Sequence, residues 1–184
     1  MKNFFLLLII GILAGIAVKY FALEIFTVPT NSMEPTIVTG SKIWLNKLPL
    51  TSFKKKDIVA FEKGGENFVK RIIGVPNDSV YFDGQKFQVF KIGTIVYKIP
   101  KKGDTFTFDK NNFDFYKPLI EHYENVQAGY IINKIFINNT ETNNYTFKYN
   151  YYFLQGDNIE ESLDSRNFGL ISEKNLFGKV LFYY

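Results

Sequence analysis

The chain has no cysteine and a single histidine among its 184 residues. Thiolate catalysis, disulfides and thiolate-bound zinc are therefore excluded, and a lone imidazole cannot build a histidine-rich metal centre. It could still act as the base of a Ser-His-Asp triad, but His122 lies in PLIEHYEN with no partner pattern around it and reads as a structural residue. Charge of one sign is scarce too. The net charge of +4 comes from scattered lysines with one short cluster at Lys54, Lys55 and Lys56. A nucleic-acid partner would call for basic residues gathered on one element with a binding motif, and neither is present. The mild excess suits anionic lipid head groups, and a codon bias toward Lys, Asn, Phe and Tyr accounts for it equally well. Prolines are few, six in all, yet Pro29 and Pro35 bracket one serine in VPTNSMEPTI. What could activate Ser32 becomes the central question.

What is abundant is apolar and aromatic material, 46% and 18% of the chain. Much of it sits in short alternating runs, which favour strands, so a mostly β protein is expected. Residues 4 to 18 are uninterruptedly apolar or glycine, and residues 20 to 23 continue the run past Lys19, whose ammonium can snorkel. Twenty helical residues at about 1.5 Å each cover about 30 Å, the thickness of a bilayer core, so a single N-terminal transmembrane helix is expected. A cleaved export signal is the competing reading, with AGIA as a weak small-x-small site. Lys2 ahead of the run favours an N-in orientation with the remainder exported, against which Lys19 votes. Gly11 and Gly15 form a GxxxG that can support helix pairing or be a chance spacing.

Beyond this anchor, residues 1 to 24, SKIWLNKL, DIVAFEK and NFVKRIIGV read as strands, the last closed by Pro76 and Asn77. Residues 84 to 149 differ in texture. KFQVFKIGTIVYKIP, DTFTFDKNNFDFY and KIFINNTETNNYTFKYN read as aromatic β-ribbons, with FINNTETNNYTF as a hairpin, and together as an inserted β lobe without chemistry of its own. The lobe would divide a core into residues 25 to 83 and 150 to 184. The glycosylation sequons at Asn138 and Asn144 are the kind that Asn-rich turns generate freely.

With no cysteine and no suitable histidine, lysine is the remaining base for Ser32. Its pKa must fall from about 10.4 toward 7 to 8, which requires burial and the absence of a carboxylate partner. NFVKRIIG offers Lys70. On a strand it shares a face with Phe68 and Ile72, while Arg71 faces the other way with Val69 and Ile73.

VPTNSMEPTI, DIVAFEK, FVKRIIGVPNDSV and GDNIEESLDSRNFGLI, in that order after an apolar N-terminus, resemble the successive boxes of bacterial type I signal peptidases. The resemblance covers the anchor and about residues 26 to 38, 56 to 83 and 153 to 172, and leaves the lobe unexplained. It implies a LexA-like β-barrel-type catalytic core and a membrane-bound serine endopeptidase that removes signal peptides with a Ser/Lys dyad, using no metal and no cofactor. Ser32 would be the nucleophile and Lys70 the general base. Ser162 would hydrogen-bond the lysine, and the Thr30 hydroxyl with the Ser32 N–H would form the oxyanion hole. Asp164 with Arg166, and Asp157 with Arg71, would pair to hold the Ser162 loop, which also keeps those carboxylates from raising Lys70. Phe26, Val28, Pro29, Met33, Ile37 and Val69 would line shallow pockets that admit small side chains at the first and third positions before the cut.

The implied partners are exported preproteins, the lipid bilayer and the secretion machinery, with no nucleic acid. The implied place is the bacterial cytoplasmic membrane, crossed once, with the catalytic part on the outer side. Three positions depart from the family pattern. Asn31 and Asn77 replace glycines, and asparagine is the non-glycine residue that best tolerates positive φ. Ile159 stands where arginine is common. Two other readings stay open: a dedicated processing peptidase of the same superfamily, maturing a conjugation or surface-structure subunit, and a non-catalytic anchored β module that binds envelope partners. Self-cleaving repressors, also Ser/Lys enzymes, are disfavoured by the N-terminal span and the lack of a DNA-binding domain.

Overall fold

A two-residue turn at Gly64 and Gly65, with φ of 63° and 83°, folds the chain back between Ile58–Lys63 and Glu66–Gly74. Only glycine enters that region without a side-chain penalty, and the primed turn it allows matches the twist of the paired strands. This hairpin lies at the centre of a computed structural model that describes residues 4, 5, 7, 9 to 12, 23 to 48, 53 to 82, 87, 88 and 95 to 184.

The strands in chain order begin with β1 (Leu23–Thr27), β2 (Lys42–Asn46), β3 (Ile58–Lys63) and β4 (Glu66–Gly74). Next come β5 (Ser79–Phe82), β6 (Phe87–Gln88), β7 (Ile95–Lys98) and β8 (Thr105–Thr107). After helix α1 (Phe113–His122) follow β9 (Ala128–Ile131), β10 (Lys134–Ile137), β11 (Thr140–Glu141) and β12 (Asn144–Thr146). The chain ends with β13 (Tyr151–Gln155), a short helix α2 (Ser165–Phe168), β14 (Ile171–Ser172) and β15 (Leu176–Tyr183).

The main sheet has seven strands in the order β1-β2-β15-β3-β4-β13-β14, while β5 to β12 make three small sheets. A mostly β architecture is thus observed. The barrel-type core is not: β1 and β14 are the two edges of an open sheet and do not pair with each other among the described residues. Register shifts within β15, and between β13 and β4, bend the sheet without closing it.

Side-chain alternation explains how the sheet is covered. Along β3, Ile58 and Ala60 enter one apolar cluster with Val28, Met33, Ile37, Ile43, Leu45 and Val180, while Val59 and Phe61 enter another with Ile72, Tyr152, Leu154 and Ile171. Along β13, Tyr152 and Leu154 join that second cluster, and Tyr151 and Phe153 point into a third, aromatic one built on Phe108, Phe113, Tyr116 and Phe147. Both strands bury both faces, which is why they read as unbroken apolar runs.

Two ribbon expectations are corrected. FDFYKPLIEH is helix α1, in which Phe113, Tyr116, Leu119 and Ile120 are buried on one face at helical spacing. The FINNTETNNYTF segment does turn at Asn138 and Asn139, with φ of 50° and 61°, but β12 leaves that hairpin and pairs with β8 instead. Of the expected anchor, residues 4, 5, 7 and 9 to 12 are helical, and Gly15 and Lys19 lie outside the described residues. No helix among the described residues is long and apolar enough to cross a membrane.

The loop between α1 and β9 holds a carboxylate that the sequence does not advertise. Glu124 is 5% exposed and accepts from the Tyr151 hydroxyl at 2.9 Å, the Tyr145 hydroxyl at 3.1 Å and the Lys148 N–H at 3.1 Å. Burial, and then this carboxylate, push the Tyr151 phenol upward, so it stays a donor. Glu124→Ala strands these donors and is expected to cost about 2 to 3 kcal/mol in chemical denaturation; a loss below about 1 kcal/mol would contradict the bonding described.

Candidate active site

Three segments converge at one place on the main sheet. The first is the turn that follows β1. The Val28 N–H donates to Ser41 C=O at 2.9 Å and the Ile37 N–H to Met33 C=O at 2.9 Å. Val28, Met33 and Ile37 are buried in the cluster beneath β3, and this pins the turn so that Ser32 is presented to a cavity. The second segment is β4. Its pairing with β13 ends at Gln155 opposite Arg71, so from Lys70 back to Glu66 no strand covers its outer edge among the described residues. The third is the loop from Gly156 to Asp164, which bonds to the Ser32 turn through Asn158 and to Arg71 through Asp157.

Lys70 Nζ lies 2.5 Å from Ser32 Oγ, and both residues are buried, at 3% and 6% exposure. Burial lowers the Lys70 ammonium to about 8. Asp164 and Asp157 pull it back up, and Arg166 opposes them. Desolvation wins because each carboxylate is already engaged. Arg71 Nε and Nη2 donate to the two oxygens of Asp157 at 2.8 and 2.6 Å, a bidentate pair, and Arg71 Nη1 donates to Lys56 C=O at 3.0 Å. Burial alone would raise the Asp157 carboxyl, but the bonds from Arg71 and Thr36 hold it below its usual range.

Asp164 is fully buried and accepts from Arg166 Nε and Nη2 at 2.9 Å each, from the Gly156 N–H at 3.0 Å and from the Ser162 hydroxyl at 2.7 Å. Burial would raise this carboxyl too, and these donors lower it. Asp164 also caps α2, accepting from the Arg166 N–H at 3.1 Å. Ser162 is thereby held at both ends, since Arg166 Nη2 donates to its carbonyl at 3.3 Å. Its hydroxyl proton goes to Asp164, and no hydrogen bond joins Ser162 to Lys70 among the described residues.

Thr30 Oγ1 sits 3.3 Å from Ser32 Oγ. The Ser32 backbone N–H makes no hydrogen bond among the described residues. The cavity in front of them has a volume of about 580 Å³ and is lined by Phe26, Val28, Pro29 and Val69 together with Thr30, Ser32 and Lys70. Met33 and Ile37 do not line it. They are fully buried beneath the turn, so their part is to fix the turn, not to form a pocket wall. Ala60, Phe68, Leu163 and Phe177 complete the apolar wall, and Glu66, Asn67 and Glu161 bring polar groups to it.

Asn31 needs no positive φ, contrary to expectation; its side chain instead donates to Glu161, which also lines the cavity. Asn77 does adopt φ of 74°. Ile159 is exposed and makes no described polar contact. His122, at the last turn of α1, lines a different cavity with Lys63, Tyr123 and Lys174. Gly156, in contrast, has no room for a side chain: a Cβ there would collide with Ser162 Oγ and the Ser32 carbonyl oxygen. No cluster of metal-ligating side chains occurs among the described residues.

Residues 1–184 match the family model described as signal peptidase, peptidase S26. Signal peptidase I of Aquifex aeolicus (strain VF5) is 29% identical over 208 residues, covering 94% of this chain and 80% of its own. Signal peptidase I V of Bacillus subtilis (strain 168) is 27% identical over 183 residues, covering 97% of this chain and 96% of its own. A crystal structure of a signal peptidase I from Enterococcus faecalis V583 overlaps 72% of this chain and 99% of its own at 22% identity, with a TM-score of 0.34, too low to carry an argument about fold.

The burial of Lys70 can be read directly. In a pH titration of lysine side chains followed by ¹³Cε NMR, one amine is expected near pH 8 against about 10.4 for free lysine. Lys70→Met should remove that signal; a lowest-titrating amine that survives the substitution would show that Lys70 is not desolvated.

Proposed function

The chain belongs to the signal peptidase family, peptidase S26, and from that premise we propose that Ser32 and Lys70 are the dyad with which this serine endopeptidase removes signal peptides from exported preproteins. The observation that carries the reading is the 2.5 Å contact between a buried amine and a buried hydroxyl. A non-catalytic module would have no reason to keep an ammonium out of water with no ion-pair partner of its own among the described residues.

At a pH near 8 about half of Lys70 is neutral and able to accept a proton. Neutral Lys70 takes the Ser32 hydroxyl proton as Ser32 Oγ bonds to the scissile carbonyl carbon, and the carbonyl π electrons move to oxygen. The Ser32 N–H and the Thr30 hydroxyl would donate to this oxyanion. When it collapses, the C–N bond breaks, and the Lys70 ammonium returns its proton to the departing amine, the new N-terminus of the mature protein. Water then attacks the acyl-enzyme with Lys70 again as base, which releases the signal peptide as a carboxylate and restores the serine. Ser162, Asp157, Asp164, Arg71 and Arg166 hold the surrounding loop and keep both carboxylates engaged with partners other than Lys70.

An extended peptide fits the uncovered edge of β4, where main-chain bonds would align it and alternate side chains would meet Phe26, Val28, Pro29 and Val69. These walls are apolar and close to Ser32, which suits small side chains at the first and third positions before the cut. The apolar run that starts at Phe4 and stops short of β1 would serve as a single membrane span, with the catalytic part on the outer side of the cytoplasmic membrane, next to the secretion machinery. Tethering enzyme and substrate to one surface raises their encounter frequency.

Ser32→Ala and Lys70→Ala should each abolish cleavage of a preprotein in detergent or vesicles, and His122→Ala should leave it unchanged. An inactive His122→Ala would revive the histidine triad. The kcat/KM profile should rise with pH through an apparent pKa of about 8, since the base works only when deprotonated. A rise appearing only above about pH 10 would rule out a desolvated lysine.

A further inference from the structure

The Asn31–Ser32 peptide is a planar unit whose carbonyl and N–H point in opposite directions, so whatever holds the Asn31 oxygen also aims the Ser32 N–H. Two donors hold that oxygen. One belongs to the turn itself, the Glu34 N–H at 3.0 Å. The other comes from 127 residues away: Asn158 Nδ2 donates to the Asn31 oxygen at 3.3 Å. The Asn158 backbone N–H donates in turn to the Ser32 carbonyl at 3.1 Å. One residue thus grips the peptide units on both sides of the Ser32 Cα, while the N–H of the cavity-lining Ser32 makes no bond among the described residues. Gly156 makes this possible, because a side chain at that position would push the loop off the Ser32 carbonyl.

We propose that Asn158 is a positioning residue for the reaction: its side-chain amide fixes the plane of the Asn31–Ser32 peptide and so preorganises the Ser32 N–H toward the oxygen that becomes negative in the transition state. This rests on the Ser32/Lys70 reading above. A donor aimed in advance stabilises developing charge without reorganising, and it helps the transition state more than the ground state. Asn158 has no bond to Lys70 among the described residues and reaches the cavity only through Asn31 and Ser32, so its side-chain amide acts through the Ser32 turn.

The test uses the full-length protein with a preprotein substrate, comparing Asn158→Ala with the same-shaped Asn158→Asp, which cannot donate. Both keep the backbone bond to Ser32. The turn retains the Glu34 bond, so the expected loss is smaller than for deleting a donor outright: kcat falls on the order of 10- to 100-fold, against roughly 100- to 1000-fold for a whole donor. KM stays within about twofold, and affinity for a peptide boronate that forms a tetrahedral adduct at Ser32 falls in parallel with kcat. For Asn158→Ala the apparent pKa of kcat/KM stays at about 8. A kcat within about twofold of the parent in either variant, a loss confined to KM, or loss of cooperative unfolding in both variants would overturn the proposal. If Ser32→Ala itself remained active, the dyad reading would be what had failed.

Discussion

The site is organised around an amine kept out of water. Lys70 is a cation in free solution at neutral pH, and enclosing it among apolar groups is unfavourable unless it can lose its proton. The surrounding structure makes that loss possible. Asp157 and Asp164 lie close enough to raise the amine, yet each is tied to an arginine, and Arg166 pushes the amine the other way. If either ion pair opened, a freed carboxylate would tend to hold Lys70 as an ammonium, so in the proposed mechanism the pairs matter to the chemistry as well as to the loop they brace.

The same constraint explains the architecture around the dyad. Lys70 sits just past the point where β13 stops pairing with β4, so its side chain can meet groups that arrive at the sheet edge. The Ser32 turn is anchored from below by Met33 and Ile37, and the Gly156 loop closes over it with bonds to the Asn31 and Ser32 carbonyls. Each segment alone is an ordinary turn or strand. Their convergence places the hydroxyl on the amine, beside a Ser32 backbone N–H that makes no bond among the described residues.

Much of this was legible in the sequence, and the reasons differ by residue. Strand alternation suffices to bury Lys70 with Ile72 and to turn Arg71 toward another partner. Four short boxes in order were enough to indicate the family. What escaped depends on three-dimensional placement. Met33 and Ile37 align with pocket residues but point into the core, and no local pattern distinguishes the two. Helix α1 was concealed by the alternating FDFY and by Pro118, which reads as a breaker, whereas its buried face at Phe113, Tyr116, Leu119 and Ile120 has helical spacing. The open sheet could not be foreseen because closure depends on whether β1 and β14 meet. Asn158 and Glu161 looked like polar loop residues; their bonds to the Ser32 turn span 127 and 130 positions, a separation that periodicity cannot reach.

Because the chain has no cysteine, a single one placed at position 70 can be modified alone. Lys70→Cys, alkylated in the unfolded state with a 2-aminoethyl group and refolded, restores an amine of nearly the same length but weaker basicity. The account predicts no cleavage before alkylation, recovery after it, and a pH–rate profile displaced to lower pH by the weaker base. Activity in the unalkylated protein, or a restored enzyme with an undisplaced profile, would contradict the central claim that the amine at this position accepts the serine proton.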